Sequence, residues 1–187
     1  FGDFMRCEVD YKTRTWKVLS VWPYQMNGTF DPTGLDHRIE IRMHNGEMYL
    51  IHDGAITRFD RKTQRLKPVA SLFIRTGHYI NTAAQIVPPF LMKLASSGKF
   101  GDPRSLGDAL WTDANGDGQA QDDEVQFLPS TGWGSGPYVD DDLTVNFMDG
   151  GKLLQRRVAS WNAYGAPVYQ TGPLQAVNTT PLPPREA

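Results

Sequence analysis

A pattern that recurs 50 residues further along constrains the fold of this chain more than any other feature. Residues 4–20 and 54–70 share the order apolar residue, Asp, any residue, Lys, Thr, two further residues, apolar residue and Lys, so Asp10 and Asp60 are equivalent. Each copy predicts two strands joined by a tight turn, in which the Asp carboxylate accepts backbone N–H bonds. Repeats of about 40 to 50 residues made of short strands are typical of β-propeller blades. We therefore predict an all-β fold of propeller-like, four-stranded antiparallel blades with a period of about 50 residues.

The segment between the two copies supplies the other strands of one blade. Residues 38–43 alternate polar and apolar side chains, as a half-buried strand does. Asn45-Gly46 is a strong hairpin signal, residues 48–51 form the return strand, and Asp53-Gly54 is a second turn. The sequence thus predicts a four-stranded antiparallel meander over residues 36–75.

The rest of the chain is less regular. We divide the propeller-like segment 1–170 into a blade remnant at 1–30, the blade at 36–75 and a blade with an inserted loop at 78–170. Within the last, we expect a short helix at 90–95 and a hairpin across Asp149-Gly150-Gly151. Residues 171–187 are rich in Pro and Thr, which predicts a tail or linker.

The length of the chain limits how many blades it can hold. Its 187 residues make about three to four blades of this period, whereas propellers close with about four to eight. The chain does not begin with Met and opens in mid-blade, so we expect a processed or excised piece. An open arc leaves strand edges unpaired. We therefore expect completion by other blades or another protein chain; the alternative is a small four-bladed ring closed by the termini.

Residues 113–124 carry the most specific chemistry in the chain. They fit the calcium loop D-x-[DN]-x-[DN]-G-x5-E at every constrained position, with Gly118 at the sharp turn. Calcium is a hard cation that takes about six to eight oxygen ligands, which such a loop supplies from four side chains and one backbone carbonyl. The alternative is a solvated acidic turn, since Asp, Asn and Gly also build ordinary surface loops. The predicted ligands are Asp113, Asn115, Asp117, the carbonyl of Gln119, and Glu124.

The loop in this context resembles a known class of protein. Trp111 followed by the loop 113–124, between strands of such a repeat, resembles propeller segments of large secreted bacterial proteins with an EF-hand-like loop inserted in a blade. Residues 161–169, which read Trp, three residues, Gly, one residue and Pro-Val-Tyr, are similar to the closing strand of such blades. The resemblance covers about residues 1–170 and implies bound Ca²⁺. The chain departs from true EF-hands because strands replace the flanking helices and Ala120 replaces the usual β-branched residue.

Strands on both sides of the loop favour structural calcium over a calcium sensor. A sensor works by moving its flanking helices. Extracellular modules bind calcium with dissociation constants of about 10⁻⁴ to 10⁻³ M. At ten times that concentration, binding stabilises a fold by about 1.4 kcal/mol. We therefore predict a structural site in a secreted, cell-surface or periplasmic protein.

Composition argues against several classes of partner and of structural feature. The net charge of −2 gives no electrostatic reason to expect nucleic acid or an anionic membrane. No apolar run approaches the roughly 18 residues of a transmembrane helix. Cys7 is the only cysteine, which rules out an internal disulfide or a zinc cluster. We expect Cys7 to be a small buried residue on a strand.

Other candidate groups have ordinary interpretations beside the functional ones. The Asp140–Asp142 run could bind a second cation or a basic substrate, although such runs are more often solvated turns. Trp133, in a Gly-rich aromatic loop that ends at Tyr138, suits stacking on a sugar or a partner, or packing between blades. We expect the histidines to be exposed residues at turns rather than metal ligands. They are His37, His44, His52 and His78.

Two classes of function remain open. The first is a calcium-stabilised propeller module that serves binding or assembly. The second is part of an enzyme, either a carbohydrate-active hydrolase or lyase or a redox complex. Its active site would then lie on the propeller face or in another domain or chain. The two differ in whether acidic or histidine side chains converge at the central channel, because a fold alone does not define a function.

Overall fold

The computed structural model describes residues 4–22, 39–52, 55–73, 89–102, 105–129, 135–149 and 152–177. Within these ranges the chain is predominantly β, which confirms the predicted all-β class. The described residues show no closed ring of blades. None of their helices is long and apolar enough to cross a membrane.

The largest sheet contains six strands in sequence order, each antiparallel to its neighbours. Its first four strands form the meander predicted for residues 36–75. The turn between the first two contains Asn45 (φ 48°) and Gly46 (φ 77°), the left-handed pair that a tight hairpin turn requires. The sheet then continues into two more strands, which the sequence predicts to belong to the next blade. The six strands are β3 (Ile39–His44), β4 (Glu47–His52), β5 (Ala55–Asp60), β6 (Arg65–Phe73), β7 (Asp108–Thr112) and β8 (Val125–Leu128).

The hairpin of β1 (Phe4–Asp10) and β2 (Thr15–Trp22) matches the β5–β6 hairpin in detail. In each turn the Asp carboxylate accepts the N–H two residues on, at 2.9 Å from Asp10 and 2.8 Å from Asp60. Each turn ends on a left-handed residue, with φ 57° in the first and 56° in the second. The predicted Asp turns are therefore confirmed. The register shifts also correspond, lying between Arg6 and Cys7 and between Ile56 and Thr57.

The remaining strands form a second sheet and a short hairpin. The order in this sheet is β14-β11-β10-β9, and the pairing of β10 with β11 confirms the hairpin predicted across residues 149–151. The first part of the predicted tail contributes β14, whereas residues 178–187 lie outside the described ranges. The strands are β9 (Ser135–Val139), β10 (Val145–Asp149), β11 (Lys152–Arg156), β12 (Val158–Trp161), β13 (Pro167–Tyr169) and β14 (Gln175–Ala176).

The main core lies between one face of the six-stranded sheet and the second sheet. Leu110 belongs to this core, together with side chains from β4, β5, β6 and β8 on the near side. Val145 and Phe147 of β10 face them from the second sheet, and Tyr169 of β13 contributes from the short hairpin. Burial of these apolar surfaces supplies the main driving force that joins the sheets.

A smaller core lies on the opposite face of β7 and β8. Ala109 and Trp111 point there because successive side chains of a strand alternate between faces. The helix α1 (Pro89–Ala95) covers them with Leu94, which confirms the helix predicted at 90–95. The strand β7, which leads into the metal loop, is therefore packed on both of its faces.

Cys7 differs from the sequence expectation. It lies on β1 as predicted, but its side chain is exposed, so the expectation of a buried cysteine is wrong. The reason is that the apolar face of the β1–β2 hairpin is exposed along its whole length. Met5 is 61% and Trp16 66% exposed on this face.

Candidate metal centre

The predicted calcium loop connects β7 to β8, so strands flank it on both sides as the sequence indicated. Asp113 directly follows β7. A single 3₁₀ turn, Asp122–Glu124, closes the loop before β8 begins. The loop therefore belongs to the six-stranded sheet and sits between two paired strands of it.

Asp113 organises the loop and joins it to two neighbouring elements. Its side chain is fully buried, and its carboxylate accepts the N–H of Gly116 at 2.8 Å and of Gly118 at 3.2 Å. Its own N–H donates to the carbonyl of Val69 on β6 at 2.9 Å. Its carbonyl accepts from the side-chain amide of Asn162, after β12, at 2.7 Å. One residue thus links the loop, the six-stranded sheet and the β12–β13 hairpin.

Burial makes the ionised form of the Asp113 side chain less stable than it is in water. Burial raises the pKa of Asp113 above its usual range, and the nearby carboxylate of Glu124 raises it further. The two N–H bonds and the ammonium of Lys67 oppose this rise. Two buried carboxylates on one loop favour a cation between them, because an opposite charge stabilises the ionised form.

Glu124, at the twelfth loop position, is 9% exposed and draws the two ends of the loop together. One carboxylate oxygen accepts the N–H of Ala114 at 2.8 Å and of Asn115 at 3.3 Å. The other accepts from the Trp111 indole at 2.9 Å and from the N–H of Gln121 at 3.3 Å. The motif does not assign Trp111 a role, yet its ring nitrogen fixes the orientation of the last predicted ligand.

The middle of the loop is held by a chain of hydrogen bonds. The side-chain oxygen of Asn115 accepts the N–H of Asp117 at 2.8 Å, and the Asp117 carboxylate accepts the N–H of Gln119 at 2.7 Å. The side-chain amide of Gln121 also donates to Asp117, at 2.8 Å. The Gln119 N–H bond is the main cause of the lowered pKa of Asp117. These hydrogen bonds therefore favour the ionised form of the Asp117 carboxylate.

These contacts allow a test of how well the loop suits calcium. The described part of the chain contains no group of three or more His, Cys, Asp or Glu side chains placed to hold a metal ion. Instead, the carboxylates are satisfied by N–H donors of the loop. The predicted ligands are all oxygens, which suits a hard cation. Asn115 and Asp117 are exposed, and each would have to break its hydrogen bonds within the loop to turn toward an ion. Donor type and spacing therefore fit Ca²⁺, and its binding stays a prediction.

Two glycines let the loop approach its neighbours closely. Gly118, with φ 73°, faces β6, and a Cβ there would lie 3.3 Å from Cγ of Lys67. Gly116, with φ 82°, lies under the Tyr164 ring, which a Cβ would overlap. The calcium-loop motif requires Gly118 but not Gly116. The need for Gly116 arises from the β12–β13 hairpin, which no local pattern specifies.

The Asp140–Asp142 run forms the turn between β9 and β10. Asp140 and Asp142 each accept the N–H of Thr144 at 2.9 Å, and Asp141 is 95% exposed beside Arg42. Burial raises the pKa of Asp140 to about 6. The hydrogen bond from Asp140 lowers the pKa of Asp142 to about 2. The geometry is that of a turn in which both carboxylates accept the same backbone N–H.

The other candidate residues are only partly described. His44 is stacked on Trp161, with ring centroids 4.6 Å apart. Tyr138 is half exposed, with the Arg42 guanidinium over its ring. Residues outside the described ranges, or with undescribed side chains, are His37, His52, His78 and Trp133.

Comparison with known proteins gives no relative for this geometry. No protein-family model matches the chain, and neither the curated proteins nor the solved structures contain a match. Function is therefore inferred from the residues themselves.

Replacing Glu124 by Gln is predicted to remove stabilisation by calcium. In wild type, calcium at ten times its dissociation constant should raise the melting temperature by about 3–5 °C. Glu124→Gln lacks the second carboxylate oxygen and should show less than about a quarter of that shift. Thermal unfolding followed by circular dichroism, in CaCl₂ and in EGTA, measures this. Asp123→Asn, an exposed neighbour at a non-ligand position, is the control and should keep the full shift. An unchanged shift in Glu124→Gln would contradict the assignment.

The Asp140–Asp142 turn predicts a specific dependence of stability on pH. The folded-state pKa of Asp140, about 6, lies above its ordinary value of 3.8. Its contribution is therefore present below pH 3.8 and lost as the pH rises through about 6. Asp142 has a folded-state pKa of about 2, so its contribution is present above pH 3.8 and lost as the pH falls through about 2.

Asp140→Asn should abolish the loss of stability between pH 4 and 6, because an amide does not ionise in that range. Urea unfolding midpoints across this interval measure the effect. The exposed Asp141→Asn variant should retain the wild-type profile. Parallel profiles for wild type and Asp140→Asn would show that Asp140 does not titrate there.

Proposed function

We propose that this chain is a calcium-stabilised β-propeller-like module of a secreted, cell-surface or periplasmic protein, and that it serves binding or assembly. The position of Asp113 supports this proposal most directly. Its backbone bonds tie β6 to the β12–β13 hairpin, while its buried carboxylate and that of Glu124 supply oxygens for an ion. An ion bound there would fix the junction of the six-stranded sheet and the β12–β13 hairpin. The strands β7 and β8 flank the loop where a calcium sensor has helices, so ion binding has no pair of helices to move.

The stacking of the sheets supports a propeller-like arrangement. Arg6 of β1 lies over the Phe59 ring of β5 at 5.0 Å and donates to Gln64 in the β5–β6 turn. Arg6 therefore connects the first hairpin to the six-stranded sheet. The opposite face of that sheet packs on the second sheet. A propeller would require β units that follow one another face to face along the chain, and these two contacts are compatible with that order.

The outer face of the β1–β2 hairpin supports a role in assembly. Three cross-strand pairs make it apolar, and the equivalent face of β5–β6 is buried, with Thr57 2% and Phe59 5% exposed. An isolated two-stranded hairpin is marginally stable in water, and contiguous exposed apolar surface marks an interaction site. We infer that a sheet of a second copy of the chain covers this face. The pairs are Met5 with Val21, Cys7 with Val18, and Val9 with Trp16.

The alternative role, as part of an enzyme, stays a prediction. In the described residues, no group of three or more His, Cys, Asp or Glu side chains is placed to hold a metal ion. The Asp140–Asp142 pair is occupied by its own turn. A carbohydrate ligand likewise has no described site that favours it over a protein partner.

Hydrogen exchange tests the calcium part of the proposal. Calcium should slow amide exchange in residues 113–124 and in residues 161–169, because Asn162 joins the two segments. Exchange in the β1–β2 hairpin should stay unchanged and serves as an internal control. Mass spectrometry of protein in CaCl₂ and in EGTA measures this. Equal exchange at 161–169 in both conditions would rule out a calcium-fixed junction.

Trp16→Lys tests the assembly part. Wild type should form dimers at micromolar concentration, as measured by light scattering after size exclusion. The variant should dimerise at least about tenfold more weakly, because a central aromatic contact is lost. Glu8→Gln, on the polar face of the same hairpin, should dimerise like wild type. A wild type that is monomeric at all concentrations would exclude a second copy as the partner and leave a different protein chain.

A further inference from the structure

Lys67 reaches the metal loop from the neighbouring strand β6. Its ammonium donates to the carbonyl of Gly116 and lies 3.9 Å from the buried carboxylate of Asp113. The Lys67 side chain is 29% exposed, whereas that of Asp113 is fully buried. The cation is thus brought to the first predicted ligand by tertiary structure, since 46 positions separate residues 67 and 113 in the sequence.

The stem of Lys67 is held against the loop. Its Cγ lies 3.3 Å from the Cβ position of Gly118, so the side chain runs beside the sixth loop residue. The charge acts on two predicted ligands, because Lys67 lowers the pKa values of both Asp113 and Asp117. The Lys67 ammonium therefore lies beside oxygens that a metal ion would use.

The sequence repeat shows that this contact is specific to one copy. Lys67 is the last residue of the repeated pattern, and Lys17 is its equivalent in the first copy. The two hairpins share turn and register, but Lys17 is exposed on β2. Lys17 is therefore a natural control for the effect of the lysine on the hairpin alone.

We propose that Lys67 is a built-in counter-cation of the loop that keeps it folded without calcium and weakens calcium binding. This inference rests on the proposed calcium site. Without calcium, the ammonium offsets the repulsion between the buried carboxylates. With calcium, two cations compete for Asp113, and like charges a few ångströms apart repel strongly in a partly buried site. The flexible lysine stem lets the ammonium move outward. The site would therefore bind calcium only where calcium is abundant, and the loop would stay folded when calcium is removed.

Lys67→Met tests this proposal, because methionine keeps most of the stem and removes the charge. Chelator-treated protein is titrated with CaCl₂ by calorimetry, and its melting temperature is measured in EGTA. Lys67→Met should bind calcium about tenfold more tightly, the effect of removing one nearby charge. It should also melt at a lower temperature than wild type in EGTA. Lys17→Met should match wild type in both measurements.

The outcomes separate this proposal from the calcium site itself. If wild type binds calcium and Lys67→Met binds it equally or more weakly, the role of Lys67 is refuted and the calcium site stands. If only Lys67→Met binds calcium, Lys67 is the cation of the loop and the proposed calcium function of the wild type fails. If neither protein binds calcium, both proposals fail.

Discussion

The structure depends on a buried carboxylate that needs a positive partner. Asp113 has no solvent exposure, and its backbone and side chain together join β6, the loop and the β12–β13 hairpin. A charge in such a place is stable only when hydrogen bonds, a counter-ion or a metal compensate for lost hydration. The loop supplies N–H groups, β6 supplies Lys67, and calcium would supply the remaining positive charge. The stability of the junction between β6 and the β12–β13 hairpin therefore depends on how well the charge of Asp113 is compensated.

The need to compensate the charge of Asp113 bears on where the protein would work. With Lys67 as the only described cation beside Asp113, the loop can form without metal, although its two carboxylates remain close. Under the proposal, bound calcium would add a modest increment of stability rather than create the fold. A site of this kind suits surroundings in which calcium is constantly abundant. The exposed apolar face of the β1–β2 hairpin suits a protein that works as one part of an assembly.

The sequence predicts what is local and misses what the tertiary structure brings together. The Asp60 turn, the Asn45-Gly46 hairpin and the loop 113–124 depend on neighbouring residues, so their patterns are readable. Lys67 and Asn162 reach Asp113 from distant segments of the chain, and no spacing rule links them. The sequence also does not predict the six-stranded sheet, because the pairing of β6 with β7 joins two distant segments. The burial of Cys7 was predicted wrongly because β-strand composition does not show which face is covered.

A crystal structure of the protein grown in millimolar CaCl₂ would show whether the loop binds calcium. We expect one ion at 2.3–2.6 Å from oxygens of the five predicted ligands. We also expect the Lys67 ammonium to be displaced from Asp113. Density for water at this position, with the ammonium still beside the Asp113 carboxylate and no ion in the loop, would contradict the predicted calcium site.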